Sequence, residues 1–343
     1  MSGESSNAEI GFKELARAQW AFGETFALLA AAEIGVFPAL GDGACTIERL
    51  AERLDCSQRG LRFLLEALAG MRFLTRDGER FGLARGVGPL LVEPCEGGSS
   101  EGGPLLHLRM VMERWMELTA AVRSGKPVRK GGGAASAAFF RTLVPDLYRI
   151  NQGAARVAAE TLKPSLPRFD AAALDVAAGS GVFGIELARA HGGVVVTALD
   201  HGEVLEVTRQ FVERNDMAAR FHYLPGDLRT VELAEGLFDV VFLGHILHSE
   251  GAAWSRTLLK RIGKALRPGG SVVIAEFLVD AARSGPLIPL LFGLNMLVHT
   301  EEGDVFSMEQ IGEWLAEAGF GPPRLLEVPD RSPLILAEKR SGG

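Results

Sequence analysis

The sequence predicts an α/β protein: an open, doubly wound sheet in the C-terminal half, preceded by a smaller, mainly α-helical domain. Three observations carry that expectation. From Asp170 short apolar runs alternate with helical ones. The stretch Ala172–Gly184 sets a small-residue turn between one such run and a helix, and residues 46–83 read as helix, turn, helix, hairpin. At 343 residues the chain exceeds one ordinary domain, so two parts are expected.

Composition narrows the class. Hydrophobic residues make up 47% and charged residues 23%, ordinary for a soluble globular protein. A net charge of −7 argues against a nucleic-acid partner that relies on a broadly basic surface. Cys45, Cys56 and Cys95 are unevenly spaced and match neither zinc nor redox spacing, so reduced thiols in a cytoplasmic protein and no metal are expected. Met1–Asn7 lacks a signal pattern, and the apolar stretches are interrupted by Glu24 and Glu33 or shortened by Pro286 and Pro289. No membrane span is therefore expected. The glycine-rich stretches Gly97–Gly103 and Gly131–Gly133 read as loops.

In chain order, residues 11–40 read as one or two helices whose broad apolar faces carry Leu15, Trp20, Phe22, Phe26, Leu28 and Leu29. Such a surface calls for burial against the rest of the fold or a second subunit. Thr46 is an N-cap candidate for a helix over 47–54, and Asp55-Cys56-Ser57 is a turn. A second helix over 58–69 carries Leu61, Leu64, Leu65 and Leu68, and two short strands flank Asp77-Gly78. This is a winged-helix arrangement, which often binds DNA through its second helix. Here Arg59 and Arg62 stand among Leu, Phe, Glu and Ala, and Arg76 and Arg80 are balanced by Asp77 and Glu79. A dimerising domain over residues 1–100 is the reading, with a DNA-binding regulator as its rival.

Residues 101–165 read as linker helices. Leu105–Arg123 supplies Met112, Trp115 and Met116, and Ser136–Ile150 supplies Phe139 and Phe140. Methionine and aromatics at helical spacing are core by default, yet they also make adaptable walls for apolar ligands.

Residues 166–343 form the second domain, with expected strands over 174–177, 194–199, 221–224, 238–243 and 271–277 and helices over 185–190, 204–215 and 254–266. Ligands of such sheets bind at the carboxyl ends of the strands. Gly179-Ser180-Gly181-Val182-Phe183-Gly184 matches the G-x-G-x-x-G of dinucleotide binders, a weak signal alone. Asp200, ending the second strand, suits ribose hydroxyls of either cofactor. Asp175 can hold a cationic amino group, Gly226-Asp227 offers an acceptor for an adenine amino group, and Leu266-Arg267-Pro268-Gly269-Gly270 is a turn into an apolar strand. These three favour S-adenosylmethionine over NAD.

Together these parts resemble the class I S-adenosylmethionine-dependent methyltransferases. With the winged-helix segment in front, the chain from about Phe12 to Lys339 is similar to the O-methyltransferases that act on caffeate, hydroxyindoles and bacterial polyketides and pigments. The resemblance implies a Rossmann-like methyltransferase sheet, S-adenosyl-L-methionine as cofactor and a homodimer. It implies cofactor contacts at Asp175, Ala177, Gly179, Gly181, Asp200, Gly226, Asp227, Leu228 and Gly244. The family's Leu-His-Asp-Trp maps onto Leu247-His248-Ser249-Glu250, which makes His248 the base, with His245 three residues earlier as competitor. Glu276 matches a carboxylate that orients the base, and a second such carboxylate has no clean counterpart in residues 301–307.

Two departures follow. The missing Asp-Trp leaves open a related fold that binds the cofactor yet performs hydroxylation or pericyclisation. Ala177 stands where the family has glycine, which is tolerable if its φ is not positive. The acceptor pocket is expected from Met112, Trp115, Met116, Phe139 and Phe140 with Leu290, Phe292, Asn295, Met296 and His299. So apolar a wall predicts a largely apolar, aromatic or polycyclic small molecule with a hydroxyl.

Overall fold

The computed structural model describes residues 10–92, 105, 107–129, 133–329 and 331–340; of 133–142 and 145 it describes the backbone alone. Met1–Asn7, Cys95, the stretch 97–103 and residues 131–132 lie outside the described residues. The chain divides into two compact units, and the second begins in earnest at Met110.

The first unit starts with α1 (Phe12–Ile34), which ends where Gly35 turns left-handed at φ +84°, and α2 (Val36–Ala39) follows. Next come β1 (Cys45–Thr46), α3 (Ile47–Leu54), α4 (Gln58–Gly70), β2 (Leu74–Asp77), β3 (Arg80–Leu83) and α5 (Val87–Leu91). The expected helix–turn–helix and wing are present, with the three strands in the order β1-β3-β2. Thr46 takes the N-cap backbone without a side-chain cap, whereas Ser57 accepts from Gly60 N at 3.0 Å. Leu50, Leu61, Leu65, Leu68 and Phe81 close the core. Arg62 is taken up by Glu66, and Arg59 and Arg62 both lie over the Phe63 ring. Phe12, Leu15, Trp20, Phe22 and Phe26 remain exposed along α1.

The linker segment holds α6 (His107–Trp115), α7 (Leu118–Ser124) and α8 (Gly133–Leu162). The pattern over 105–123 predicted one helix; the chain breaks at Glu117, whose ψ of 2° leaves the helical range. α8 outruns the predicted Ser136–Ile150 because Ala154, Ala155, Ala158, Ala159 and Leu162 continue its buried face.

The sheet comprises β4 (Ala171–Val176), β5 (Val194–Asp200), β6 (Phe221–Pro225), β7 (Phe238–Gly244), β8 (Leu266–Ala275), β11 (Arg324–Leu326) and β12 (Leu334–Glu338). Between them run α9 (Val182–Ala190), α10 (Gly202–Arg214), α11 (Leu247–Ala265), β9 (Leu278–Val279), α12 (Leu287–His299), β10 (Phe306–Ser307) and α13 (Met308–Glu317). Strand order is β11-β12-β8-β7-β4-β5-β6, with β6, β5, β4, β7 and β8 parallel and an antiparallel β12–β11 hairpin at one edge. Alternate residues of each strand serve opposite faces. Ala173, Val196, Val240 and Phe242 join one core with α8, α9 and α10; Leu174, Val176, Val241 and Leu243 join the other with α11 and α13.

Two local features differ from expectation. The Pro268-Gly269-Gly270 turn is a bulge inside β8: pairing jumps from Phe238↔Leu266 to Val240↔Ser271, and Gly269 sits at φ +77°. α11 starts seven residues before the expected Trp254, and its first turn is set off by Gly251 at φ +74°, ψ 165°. A Cβ there would lie 2.6 Å from the Glu302 carbonyl, so glycine lets another segment approach.

Candidate active site

Both halves of the expected site lie at the carboxyl ends of parallel strands, around the order reversal between β4 and β7. On the side of the glycine turn, Asp175 near the end of β4 is only 2% exposed, and its Oδ2 accepts from Gly184 N at 3.1 Å. Burial pushes this carboxyl up to about 7; the Gly184 N–H opposes the shift and Asp200 adds to it. Asp200 Oδ2 accepts from Gly179 N at 3.0 Å and Oδ1 from His201 N at 2.7 Å, while Thr208 Oγ1 donates to Gly179 O at 2.7 Å. Burial raises Asp200 too, against these two N–H donors.

The turn between β4 and α9 is left-handed at Ala177 (φ +52°), Gly179 (+55°) and Gly181 (+73°). The condition set for Ala177, a φ that is not positive, is not met: the Ala178 N–H bond to Leu199 O and the Asp200–Gly179 bond hold the turn, and alanine takes the conformation that glycine takes freely. The third glycine has another duty. A Cβ on Gly184 would lie 2.7 Å from Val196 Cγ1, so it permits α9 to pack on the sheet whatever nucleotide is bound. That is why the literal G-x-G-x-x-G could not separate two cofactors.

Gly226 N donates to Asp200 O at 3.0 Å, which joins the ends of β5 and β6. Asp227 is exposed, its Oδ1 accepting from Arg229 N at 2.7 Å, and the Leu228 carbonyl accepts from the Arg261 guanidinium. A Cβ on Gly244 would lie 3.0 Å from the Phe183 ring.

Across the switch point, His248 sits in the first turn of α11. Its Nδ1 is 2.8 Å from Glu276 Oε2, and its backbone N donates to Glu276 Oε1 at 3.1 Å. Glu276 is 3% exposed. Burial works against its charge, yet His248 beside it, the hydrogen bonds from His248 and the nearby His245 outweigh that and hold the carboxyl below its usual range. An ionised Glu276 fixes the hydrogen on Nδ1 and leaves the Nε2 lone pair free. Asp304 N donates to the His248 carbonyl at 2.9 Å. Phe292 stands edge-on to His248 at 4.8 Å between ring centres and stacks on Phe277 at 4.0 Å.

Other expected pocket residues fall into two groups. Trp115 Nε1 donates to Asn295 Oδ1 at 2.9 Å, and His299 Nδ1 lies 2.9 Å from Asn295 O, so these three form one polar seam; burial lowers the His299 imidazole. Met112 and Leu290 are half-buried and Met296 is buried. Met116, expected on the wall, is 87% exposed one residue beyond α6 and faces solvent instead. The side chains of Phe139 and Phe140 lie outside the described residues. Two neighbours escaped the sequence reading. Phe277 follows Glu276 directly, and Asn151 is a buried amide in the Ala-rich α8, where a polar residue on a core face is the signal.

Residues 115–321 match the O-methyltransferase domain, and residues 19–86 match the O-methyltransferase dimerisation domain. The chain belongs to the O-methyltransferase family. It is 28% identical over 325 residues to the tetracenomycin polyketide synthesis 8-O-methyl transferase of Streptomyces glaucescens, covering 93% of this chain and 94% of that protein. It is 29% identical to the 3-hydroxy-5-methyl-1-naphthoate 3-O-methyltransferase of Streptomyces sahachiroi, covering 91% and 89%. Among solved structures, human N-acetylserotonin methyltransferase in complex with SAM superposes with a TM-score of 0.79 at 25% identity, over 98% of this chain and 99% of that one. This O-methyltransferase uses S-adenosylmethionine. The site suits that molecule: a carboxylate raised by burial, which a cation would hold ionised, a second carboxylate beside it and a glycine turn opening α9.

Proposed function

We propose that this methyltransferase acts on a hydroxyl of a largely apolar, aromatic or polycyclic small molecule, with His248 as general base. The observation that carries the reading is the 2.8 Å contact between His248 Nδ1 and the buried Glu276. Support for the acceptor class comes from the Phe277–Phe292 wall beside His248 and from the relatives' polyketide and naphthoate names.

S-adenosylmethionine supplies a sulfonium-bound methyl group that is electrophilic toward oxygen. Asp175 would balance its ammonium, Asp200 would accept from its ribose hydroxyls, and Gly226, Asp227 and Leu228 would border its adenine, with Gly179, Gly181, Ala177 and Gly244 shaping the cradle. A phenolic hydroxyl, with a pKa of about 10, is mostly neutral at pH 7 and gains from a base. His248 Nε2 takes its proton, and Glu276 stabilises the resulting imidazolium through Nδ1–H. Holding the reactants aligned contributes roughly 7–11 kcal/mol. Met112, Trp115, Phe292, Asn295, Met296 and His299 bound the acceptor in this reading, and the exposed aromatic stripe of α1 joins two copies as a homodimer.

His248→Ala is expected to lower turnover by about 10²–10⁴-fold. Affinity for S-adenosylhomocysteine, read by calorimetry, should change little. Undiminished methyl transfer in that variant would remove His248 from the mechanism, and a wild type that binds S-adenosylhomocysteine but methylates no hydroxyl would point to a different reaction on the same fold.

A further inference from the structure

A titratable side chain beside the base remains unused by this reaction: His245. Its backbone is left-handed at φ +59°, and its N–H donates to Ala275 O at 2.9 Å. Its ring lies 6.0 Å from the His248 ring and 5.3 Å from Phe277, centre to centre. Nε2 is 3.1 Å from Asn151 Oδ1, and Asn151 is 8% exposed. A carbonyl oxygen only accepts, so Nε2 carries the hydrogen and Nδ1 is left with a lone pair. That Nδ1 is buried with no hydrogen-bond partner among the described residues. Burial also keeps the ring neutral, pushing it down to about 4, with Glu276 opposing and His248 assisting.

A buried acceptor without a donor is unfavourable, and so is a left-handed histidine; such costs gather where a ligand or reaction needs them. We propose that His245 Nδ1 accepts a hydrogen bond from a second donor on the methyl acceptor, so that the preferred acceptor is an aromatic molecule carrying a hydroxyl or N–H beside the hydroxyl handed to His248. This rests on the methyl-transfer reading above. Neighbouring substituents on one ring can bridge the 6.0 Å between the two imidazole centres, each bonded at about 2.8 Å. Nδ1 is covered, and Phe277 packs against the His245 ring and stacks on Phe292, so Phe277 must shift as the acceptor enters. His245 is thus a specificity-determining residue, distinct from the base.

The test compares a dihydroxynaphthalene bearing adjacent hydroxyls with the naphthol lacking one of them. Both are titrated into the S-adenosylhomocysteine complex by calorimetry and then assayed for methyl transfer. Wild type is expected to favour the diol roughly tenfold, the fold-change of one neutral hydrogen bond. In His245→Phe, which keeps the ring without the acceptor, the ratio should fall to about one. Nitrogen-15 spectra of histidine-labelled wild type should show His245 Nδ1 unprotonated, with its signal moving on adding the diol and not the naphthol. Should His245→Phe fold poorly, Asn151→Leu, which frees the tautomer, is expected to erode the same preference. Equal preference in wild type and variant would overturn the proposal. So would a stoichiometric transition metal held by wild type and lost from His245→Phe, since donor atoms of His245, His248 and Glu276 lie within 4.8 Å of one another. Diol preference without methyl transfer would sink the catalytic reading and spare this one; methyl transfer without preference would do the reverse.

Discussion

Asp175 shows how one buried side chain can couple ligand binding to pH. Its carboxyl is raised from 3.8 to about 7 by burial. A carboxyl raised in the folded state contributes stability that is full below its unfolded pKa and lost as pH climbs from about 4 to about 7. A cationic ligand beside it favours the ionised form, so binding at pH 6 should release a proton, and affinity for S-adenosylmethionine should rise toward pH 8. Calorimetry in buffers of different ionisation enthalpy measures that proton. Asp175→Asn should abolish the release; a release that persists in this variant would place the titrating group elsewhere. The sequence marked Asp175 and Asp200 because carboxylates ending apolar runs stand out, but not their mutual bracing through Gly179 and Gly184. Phe277 stayed hidden because nothing in one sequence sets a core aromatic apart from one beside a site, and Asn151 offered only the faint signal of one amide on an Ala-rich helix face.

At the scale of elements, the turn between β4 and α9 carries alanine in a conformation suited to glycine. For an L-residue the left-handed region costs roughly 1–2 kcal/mol, part of which glycine gives back as unfolded-state entropy. Ala177→Gly should therefore raise stability by about 0.5–1 kcal/mol, seen as a higher denaturant midpoint at unchanged slope. A lower midpoint would mean that the alanine methyl packs usefully. Strands and helices here were legible because their apolar periodicity is strong, and β4 to β8 fell within a few residues of expectation, the Pro-Gly-Gly segment aside. Breaks were not. The kink at Gly251 arises from the close approach of Glu302, and the bulge at Gly269 from a left-handed residue that shifts the pairing with β7; local pattern encodes neither.

For the whole molecule, two cores on opposite faces of one sheet follow from alternation along β4, β5 and β7, which only Phe238, at the bulge, breaks. The first unit supplies the other prominent surface. Trp20 is 72% exposed, with Phe22 stacked on it at 6.2 Å and Phe26 edge-on to Phe22 at 6.1 Å. An exposed aromatic stripe of this kind marks an association site. Light scattering at micromolar concentration should give twice the mass of one chain, and Trp20→Glu with Phe26→Glu should halve it. A monomeric wild type would refute the assembly. The wide apolar face was plain in the sequence, whereas the removal of Arg62 into an ion pair with Glu66, which weakens the DNA-binding rival, took the structure to see.

The tie between the Asp304 N–H and the His248 carbonyl has a consequence for how the enzyme can diversify. The chain just past α12 grips the backbone of His248 through Asp304, while Phe292 within α12 touches its ring. The wall and the base proposed above are therefore one mechanical piece. A lineage that reshapes α12 to admit a new molecule must also resettle His248, so changes in substrate range and in rate will be inherited together.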